Sequence, residues 1–277
     1  MTKTLAKGYE SCLPRRNFRT ACLAKTNRDS GSSELLSSSE ALASSALQAA
    51  GTRKLTKSEE KAYRTQINNP GFKLTAREKA VLYGGLLTDG TLQKRGKSLR
   101  YRVSHCTANK ELVDWQHEAL KRLCGTTQPP KETADGASVE FYTASGFYLG
   151  ETHKLFYKSL SESLEQEANK KEKLIKKITP ELLADMPSDP ECLAMIFCAD
   201  GSVRNDSYSG KLALHCFSAE EQELFCEWLF AAHGVKAHVV RHTRASGQHY
   251  VCLPAESFGR FICIVEPVMK QIPCNIS

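Results

Sequence analysis

Two short apolar runs, AVLYGGLL from Ala80 and LAMIFCA from Leu193, each end close to an Asp-Gly pair, at Asp89-Gly90 and Asp200-Gly201, about 110 residues apart. Each run has a helix-start signal ahead of it: Thr75 and Glu78 are spaced as a capping box, and so are Ser188 and Glu191, with Pro190 in the first turn. The segments after each Asp-Gly are duplicated as well. A hairpin-like stretch (Thr91 to His105, Ser202 to Cys216) leads into a helix-period segment with one Trp (Lys110 to Leu123, Ala219 to His233). Two further strand-like pieces and a last apolar helix, near Leu149 to Leu160 and Ser257 to Val265, complete each copy. This pattern predicts an α+β fold of two pseudo-symmetric αββαββα repeats with antiparallel sheets, the first over residues 74–160 and the second over 188–277.

The rest of the 277-residue chain is expected to be accessory. Residues 1–73 are read as a mostly disordered tail: their Ser/Ala-rich tracts carry too few large apolar side chains to offset the entropy of ordering. The first thirty residues are basic and nearly free of acid, which fits either a flexible tail or an organellar transit peptide. Residues 161–187 form a charged, partly helical connector. With 38 Lys and Arg against 31 Asp and Glu the net charge is +7, which leaves nucleic acid open as a partner, and no run approaches the roughly 20 apolar residues of a membrane helix. Eleven scattered cysteines with no CxxC pair argue for reduced thiols and an intracellular protein, in the cytoplasm, nucleoid, chloroplast or mitochondrion.

The stretches LYGGLLTDG (Leu82 to Gly90) and LAMIFCADG (Leu193 to Gly201) resemble the nine-residue signature of the LAGLIDADG homing endonucleases, most closely the single-chain, two-motif subgroup. KKITP (Lys176 to Pro180) and LPAESFGRF (Leu253 to Phe261) extend the resemblance. Physical chemistry gives the motif its sense. Gly84 and Gly85 in one helix, and Ala194 and Ala199 in the other, remove the bulk that would keep two helix backbones apart. A glycine pair inside a helix costs about 1 kcal/mol per residue relative to alanine, so close packing must offset it. Asp89 and Asp200 then meet at the helix ends, where two carboxylates repel unless a cation lies between them, and hard oxygen donors favour Mg²⁺ or Ca²⁺. The resemblance implies a site-specific double-strand DNA endonuclease that uses Mg²⁺, with Ca²⁺ as a non-cleaving substitute, held by Asp89 and Asp200 with Gly90 and Gly201 beside them. It further implies Lys177 as a basic catalytic residue near the attacking water, a staggered cut with 3′ overhangs, and a gene borne on an intron.

Strand alternation supplies a surface for the DNA. In LRYRVSH, Leu99, Tyr101 and Val103 alternate with Arg100, Arg102 and Ser104, so one sheet face is basic and open. Gln93, Lys94, Arg95, Arg100 and Arg102 are the candidate DNA contacts of the first repeat. Arg204, Lys211, His215, Lys236, His238, Arg241, Arg244 and Gln248 are those of the second. Where His-Cys pairs recur, at 105–106 and 215–216, the expectation is cysteine in the core and histidine facing the groove. The resemblance implies a second basic residue in a Tyr-Lys pair after the terminal proline, but this chain reads IPCNIS there. Either Lys270 substitutes or one strand is cut slowly. The protein is expected to act as a monomer with no membrane partner. An intron maturase, binding intron RNA on the same scaffold, is the competing reading, and a noncatalytic DNA-binding regulator a third; the paired acids favour the nuclease.

Overall fold

The first apolar run folds as helix α2 (Ala76–Leu87) of a computed structural model that describes residues 55–125, 129–159, 174–204, 207–242 and 247–272. Its start is the expected capping box: the Thr75 side chain accepts from the Glu78 amide, and the Glu78 carboxylate accepts from the Thr75 amide at 2.8 Å. The second run is helix α6 (Pro190–Asp200), and its cap differs from expectation. Asp189, not Ser188, is the N-cap, its carboxylate accepting from the Glu191 amide at 2.9 Å. Glu191 does not complete a box; it accepts from Arg77 Nε of α2 at 2.9 Å and so ties the two repeats together. Residues 80–87 and 192–197 are buried all round, the state of helices enclosed in a core.

Each Asp-Gly opens a four-stranded antiparallel sheet. The first has the order β1-β2-β4-β3, built from β1 (Thr91–Arg95), β2 (Ser98–Cys106), β3 (Lys131–Glu132) and β4 (Ser138–Tyr142). The second repeats that order as β7-β8-β10-β9, with β7 (Gly201–Val203), β8 (Gly210–Leu212), β9 (His238–Arg241) and β10 (His249–Leu253). Helices α3 (Lys110–Ala119) and α4 (Gly150–Phe156) serve the first repeat, α7 (Ala219–His233) and α8 (Ala255–Met269) the second. The αββαββα duplication is therefore present as read. One apolar core runs through both copies, from Leu86, Tyr101, Val103 and Phe141 in the first to Leu193, Ile196, Val251 and Phe261 in the second.

The segments outside the repeats depart from expectation. Residues placed in a disordered tail form helix α1 (Lys57–Ile67), capped by Thr56 and Glu59. Tyr63 and Ile67, one turn apart, are fully buried against Ala144, and the Tyr63 hydroxyl donates to the Arg122 carbonyl at 3.2 Å. Two apolar residues could not hold a helix alone; the first repeat supplies the surface that does. The remainder of the expected tail lies outside the described residues. In the connector, strand β6 (Leu174–Lys176) pairs with β5 (Tyr157–Ser159), and helix α5 (Pro180–Asp185) comes next. The helix expected up to Leu160 stops at Phe156 because the chain turns extended there to enter β5. The eight cysteines among the described residues are all unbridged. No described helix is long and apolar enough to cross a membrane.

Candidate active site

Close approach of α2 and α6 brings the two aspartates together. A Cβ on Gly84 would stand 2.6 Å from the Cys192 carbonyl oxygen and 2.8 Å from Met195 Cβ, so the helices touch at this glycine. Ala194 is fully buried in the same core, and Ala199 packs against it half-buried. Gly85 plays another part than the one expected of it. Its missing side chain leaves room for the Tyr101 hydroxyl, which a Cβ would meet at 2.2 Å, within its own repeat. Gly90 is likewise crowded by Tyr101 and Gly201 by Phe197, so both turns after the helices need glycine for space.

The two carboxylates experience different surroundings. Asp89 is half exposed, and its Oδ2 lies 3.0 Å from His105 Nδ1; that hydrogen bond holds its carboxyl below the usual range. Asp200 is pushed the other way, up to about 6, by burial first and by the negative charge of Asp89 second. The helices touch at Gly84 and Met195, each five residues before its aspartate, which sets both carboxylates at the same end of the pair. The basic residue beside them is Lys176. Its ammonium donates to the carbonyls of Thr88 at 2.9 Å and Gly90 at 2.6 Å, and burial lowers its pKa while Cys216 and both aspartates oppose that shift. Lys177, the residue expected in this place, lines the same cleft as Lys176, with Thr88, Cys216, Ser218 and Glu221, and its amide is tied to the Phe156 carbonyl at 2.9 Å. Strand register decides between neighbours: Lys176 lies opposite Tyr157 on the β5–β6 ribbon, whose Tyr157 hydroxyl accepts from the Leu92 amide at 3.0 Å and anchors the ribbon to the first repeat.

The His-Cys expectation is reversed in the first repeat. His105 is buried and Cys106 exposed, because His105 continues the inward parity of Tyr101 and Val103. The alternation used to place Arg100 and Arg102 outside already contained this signal. In the second repeat both His215 and Cys216 are exposed, just beyond the end of β8, with His215 Nδ1 2.7 Å from the His249 carbonyl.

The open face of the first sheet carries Gln93, Arg95, Arg100 and Arg102, as their pairing register requires. Tyr142 and Glu140 share it and were missed as partners: Arg100 sits 4.0 Å above the Tyr142 ring and donates to Gln93 Oε1 at 2.9 Å, while Arg102 donates to Glu140 Oε2 at 2.7 Å. Lys94 lies on the opposite parity, exposed beside the Gly96 turn. In the second sheet Lys211 and His238 share a face through Cys252. Arg241 has the other parity but is exposed at the strand end, and Arg204, Lys236 and Gln248 are exposed at strand ends or loops. Arg244 lies outside the described residues.

Two carboxylates that repel each other, flanked by backbone carbonyls, make a hard oxygen donor set that suits a divalent cation. Among the described residues no group of three or more His, Cys, Asp or Glu side chains could hold a metal by itself, so the remaining ligands would have to come from elsewhere.

Comparison with known proteins agrees with this geometry. Residues 79–261 match the model of the LAGLIDADG DNA endonuclease family. The chain is 24% identical over 202 residues to DNA endonuclease I-ChuI of Chlamydomonas applanata, covering 71% of this chain and 92% of that protein. Its fold is similar to that of the homing endonuclease I-WcaI bound to its DNA recognition sequence, with a TM-score of 0.59 at 17% identity over 82% of this chain and 96% of the other. The chain belongs to the LAGLIDADG DNA endonuclease family.

Proposed function

We propose that this protein is a site-specific DNA endonuclease that hydrolyses both strands of a long duplex site at Asp89 and Asp200 and promotes the mobility of the intron that houses its gene. The observation that carries the reading is the pair of repelling carboxylates at the ends of two touching helices, each of which leads into a four-stranded sheet, the first with arginines on its open face. I-ChuI is named a DNA endonuclease, and I-WcaI a homing endonuclease bound to its recognition sequence; both names support the same activity here. Mg²⁺ is the cofactor that fits the donor set, with Ca²⁺ expected to support binding without cutting. Such a cation would position a water and offset charge on the pentacovalent phosphate.

The chain's own residues do the rest. Asp89 and Asp200 approach the scissile region from the two helix ends, with the DNA phosphates completing the donor shell that protein side chains leave open. Lys176 holds the Thr88 and Gly90 carbonyls in place and keeps positive charge beside the acids. Arg100, Arg102 and Gln93 face the major groove on one side, and Lys211 and His238 on the other, so that a monomer spans roughly two helical turns, ~20 bp. The protein is proposed to meet the DNA inside the cell, in an organelle or beside a bacterial nucleoid.

The test is incubation of the purified chain in Mg²⁺ with a plasmid carrying the uninterrupted form of the locus that houses its reading frame. Cleavage at one site, lost in Asp89→Asn and Asp200→Asn with binding in Ca²⁺ retained, is the expected result. Tight binding of the intron RNA with every duplex left intact would transfer the assignment to the maturase reading.

A further inference from the structure

Behind Asp89 stands a chain of buried polar groups that Asp200 lacks. His105 Nδ1 meets Asp89 Oδ2 at 3.0 Å, and on its far side His105 Nε2 faces Gln116 Nε2 at 3.5 Å. Gln116 Oε1 in turn accepts from the Tyr101 hydroxyl at 3.2 Å. Facing a carboxylate oxygen, which only accepts, the imidazole presents an N–H at Nδ1 and donates it to Asp89. His105, Gln116 and Tyr101 are all buried, so the donor cannot swing away to water. In the second repeat the place that register assigns to His105 is taken by Leu214, which is buried and apolar; the next residue, His215, is exposed beyond β8 and turned to the His249 carbonyl, and Gln222 in α7 donates to the backbone carbonyls of Leu214, Phe217 and His249. Among the described residues no side chain hydrogen-bonds the Asp200 carboxylate.

We propose that His105 is a positioning residue for Asp89: its Nδ1–H fixes the orientation of one of the two metal-binding carboxylates, so that the site is built from one preset and one adaptable acid. The proposal rests on the reading of Asp89 as a metal ligand. A carboxylate already held by a donor presents its free oxygen in a defined direction and loses little freedom when it binds, and removing such an outer partner characteristically weakens metal binding or activity ten- to a hundredfold. The duplicated fold makes the difference visible, because the equivalent position carries a histidine in one repeat and a leucine, Leu214, in the other.

Two amide substitutions separate the donor from mere bulk. Asparagine sets its amide nitrogen near the place of Nδ1, whereas glutamine sets it near Nε2, and both bury a polar amide. The readout is Tb³⁺ luminescence titrated on the full chain without DNA, with the Mg²⁺ concentration for half-maximal cleavage as a second measure. His105→Asn is expected within about threefold of wild type in both, and His105→Gln about tenfold weaker or more. Should the Gln variant fail to fold, Gln116→Leu releases the far side of the ring and is expected to shift both measures in the same direction. Equal losses in the Asn and Gln variants, or no loss in either, would overturn the positioning role. If Asp89→Asn leaves both Tb³⁺ binding and cleavage intact, the failure belongs to the metal-ligand reading itself.

Discussion

At the scale of single residues, two aspartates placed alike by the chain end with opposite proton affinities. Asp89 accepts from a buried histidine and is held below the ordinary range, whereas Asp200 is buried beside the Asp89 charge and raised to about 6. A carboxyl whose folded pKa exceeds its unfolded value opposes folding once it ionises. In metal-free protein this cost is absent below pH ~4 and grows as pH rises through about 6. Discounted for partial exposure, it should amount to about 1–2 kcal/mol. Urea unfolding in EDTA is therefore expected to show Asp200→Asn gaining stability relative to wild type as pH rises from about 4 to about 6, the span of the shift, with the gain constant above it. A stability difference between the two proteins that does not change with pH over that span would contradict the placement of Asp200. Lys176 and His105 illustrate how far a single position is legible: the inward parity of β2 marks His105, but nothing in KKITP says which lysine the β5–β6 register turns toward the acids.

Elements carry the next level of the argument, because each helix start, glycine and strand face answers to its neighbours. Gly84 lets α2 meet α6, where a Cβ would press on the backbone carbonyl of Cys192, an atom that cannot step aside. Gly84→Ala is expected to cost about 1–3 kcal/mol as overpacking, read as a lowered urea midpoint; a midpoint within error of wild type would show that the helices have slack. Helix α1 depends on tertiary support in the same way. Tyr63→Ala removes a fully buried ring and its hydrogen bond to Arg122, and should cost about 3–5 kcal/mol. An unchanged midpoint would place α1 outside the cooperative unit. On the open face of the first sheet, Arg102 is already engaged by Glu140 and Arg100 by Gln93 and Tyr142. A base-reading arginine must exchange these partners for the groove. Arg100→Ala with Arg102→Ala should weaken binding by about 1–3 kcal/mol per base-reading residue and relax preference in one half-site. A loss that is uniform across site variants, with a shallower salt dependence, would assign both to phosphates instead.

For the whole molecule the two sheets have the same strand order, yet the halves are unequal where chemistry occurs. Lys176 arises from the connector and donates to carbonyls of the first repeat, and the His105 relay serves the first repeat's acid. Lys270, the candidate substitute in the second half, is exposed and engaged with Glu266 at 2.8 Å, whereas the lysine whose charge acts on Asp200 is Lys176. A supercoiled plasmid time course is therefore expected to pass through a nicked intermediate, and Lys176→Ala should slow the two strands unequally, about a hundredfold for the more dependent one. Simultaneous loss of both strands with no nicked species would refute the asymmetry. The duplication, the αββαββα order, an aspartate at each helix end and the basic open face of the first sheet were legible in the sequence alone, because periodicity and Asp-Gly turns are local signals that read the same in any context. Which lysine faces the acids, that Gly85 makes room for Tyr101 and not for the partner helix, that Asp189 caps α6, and that Tyr63 and Ile67 order a helix in the presumed tail were decided only by tertiary structure. Each of those outcomes depends on contacts between segments distant along the chain, where register and packing select among neighbours that local chemistry leaves equivalent.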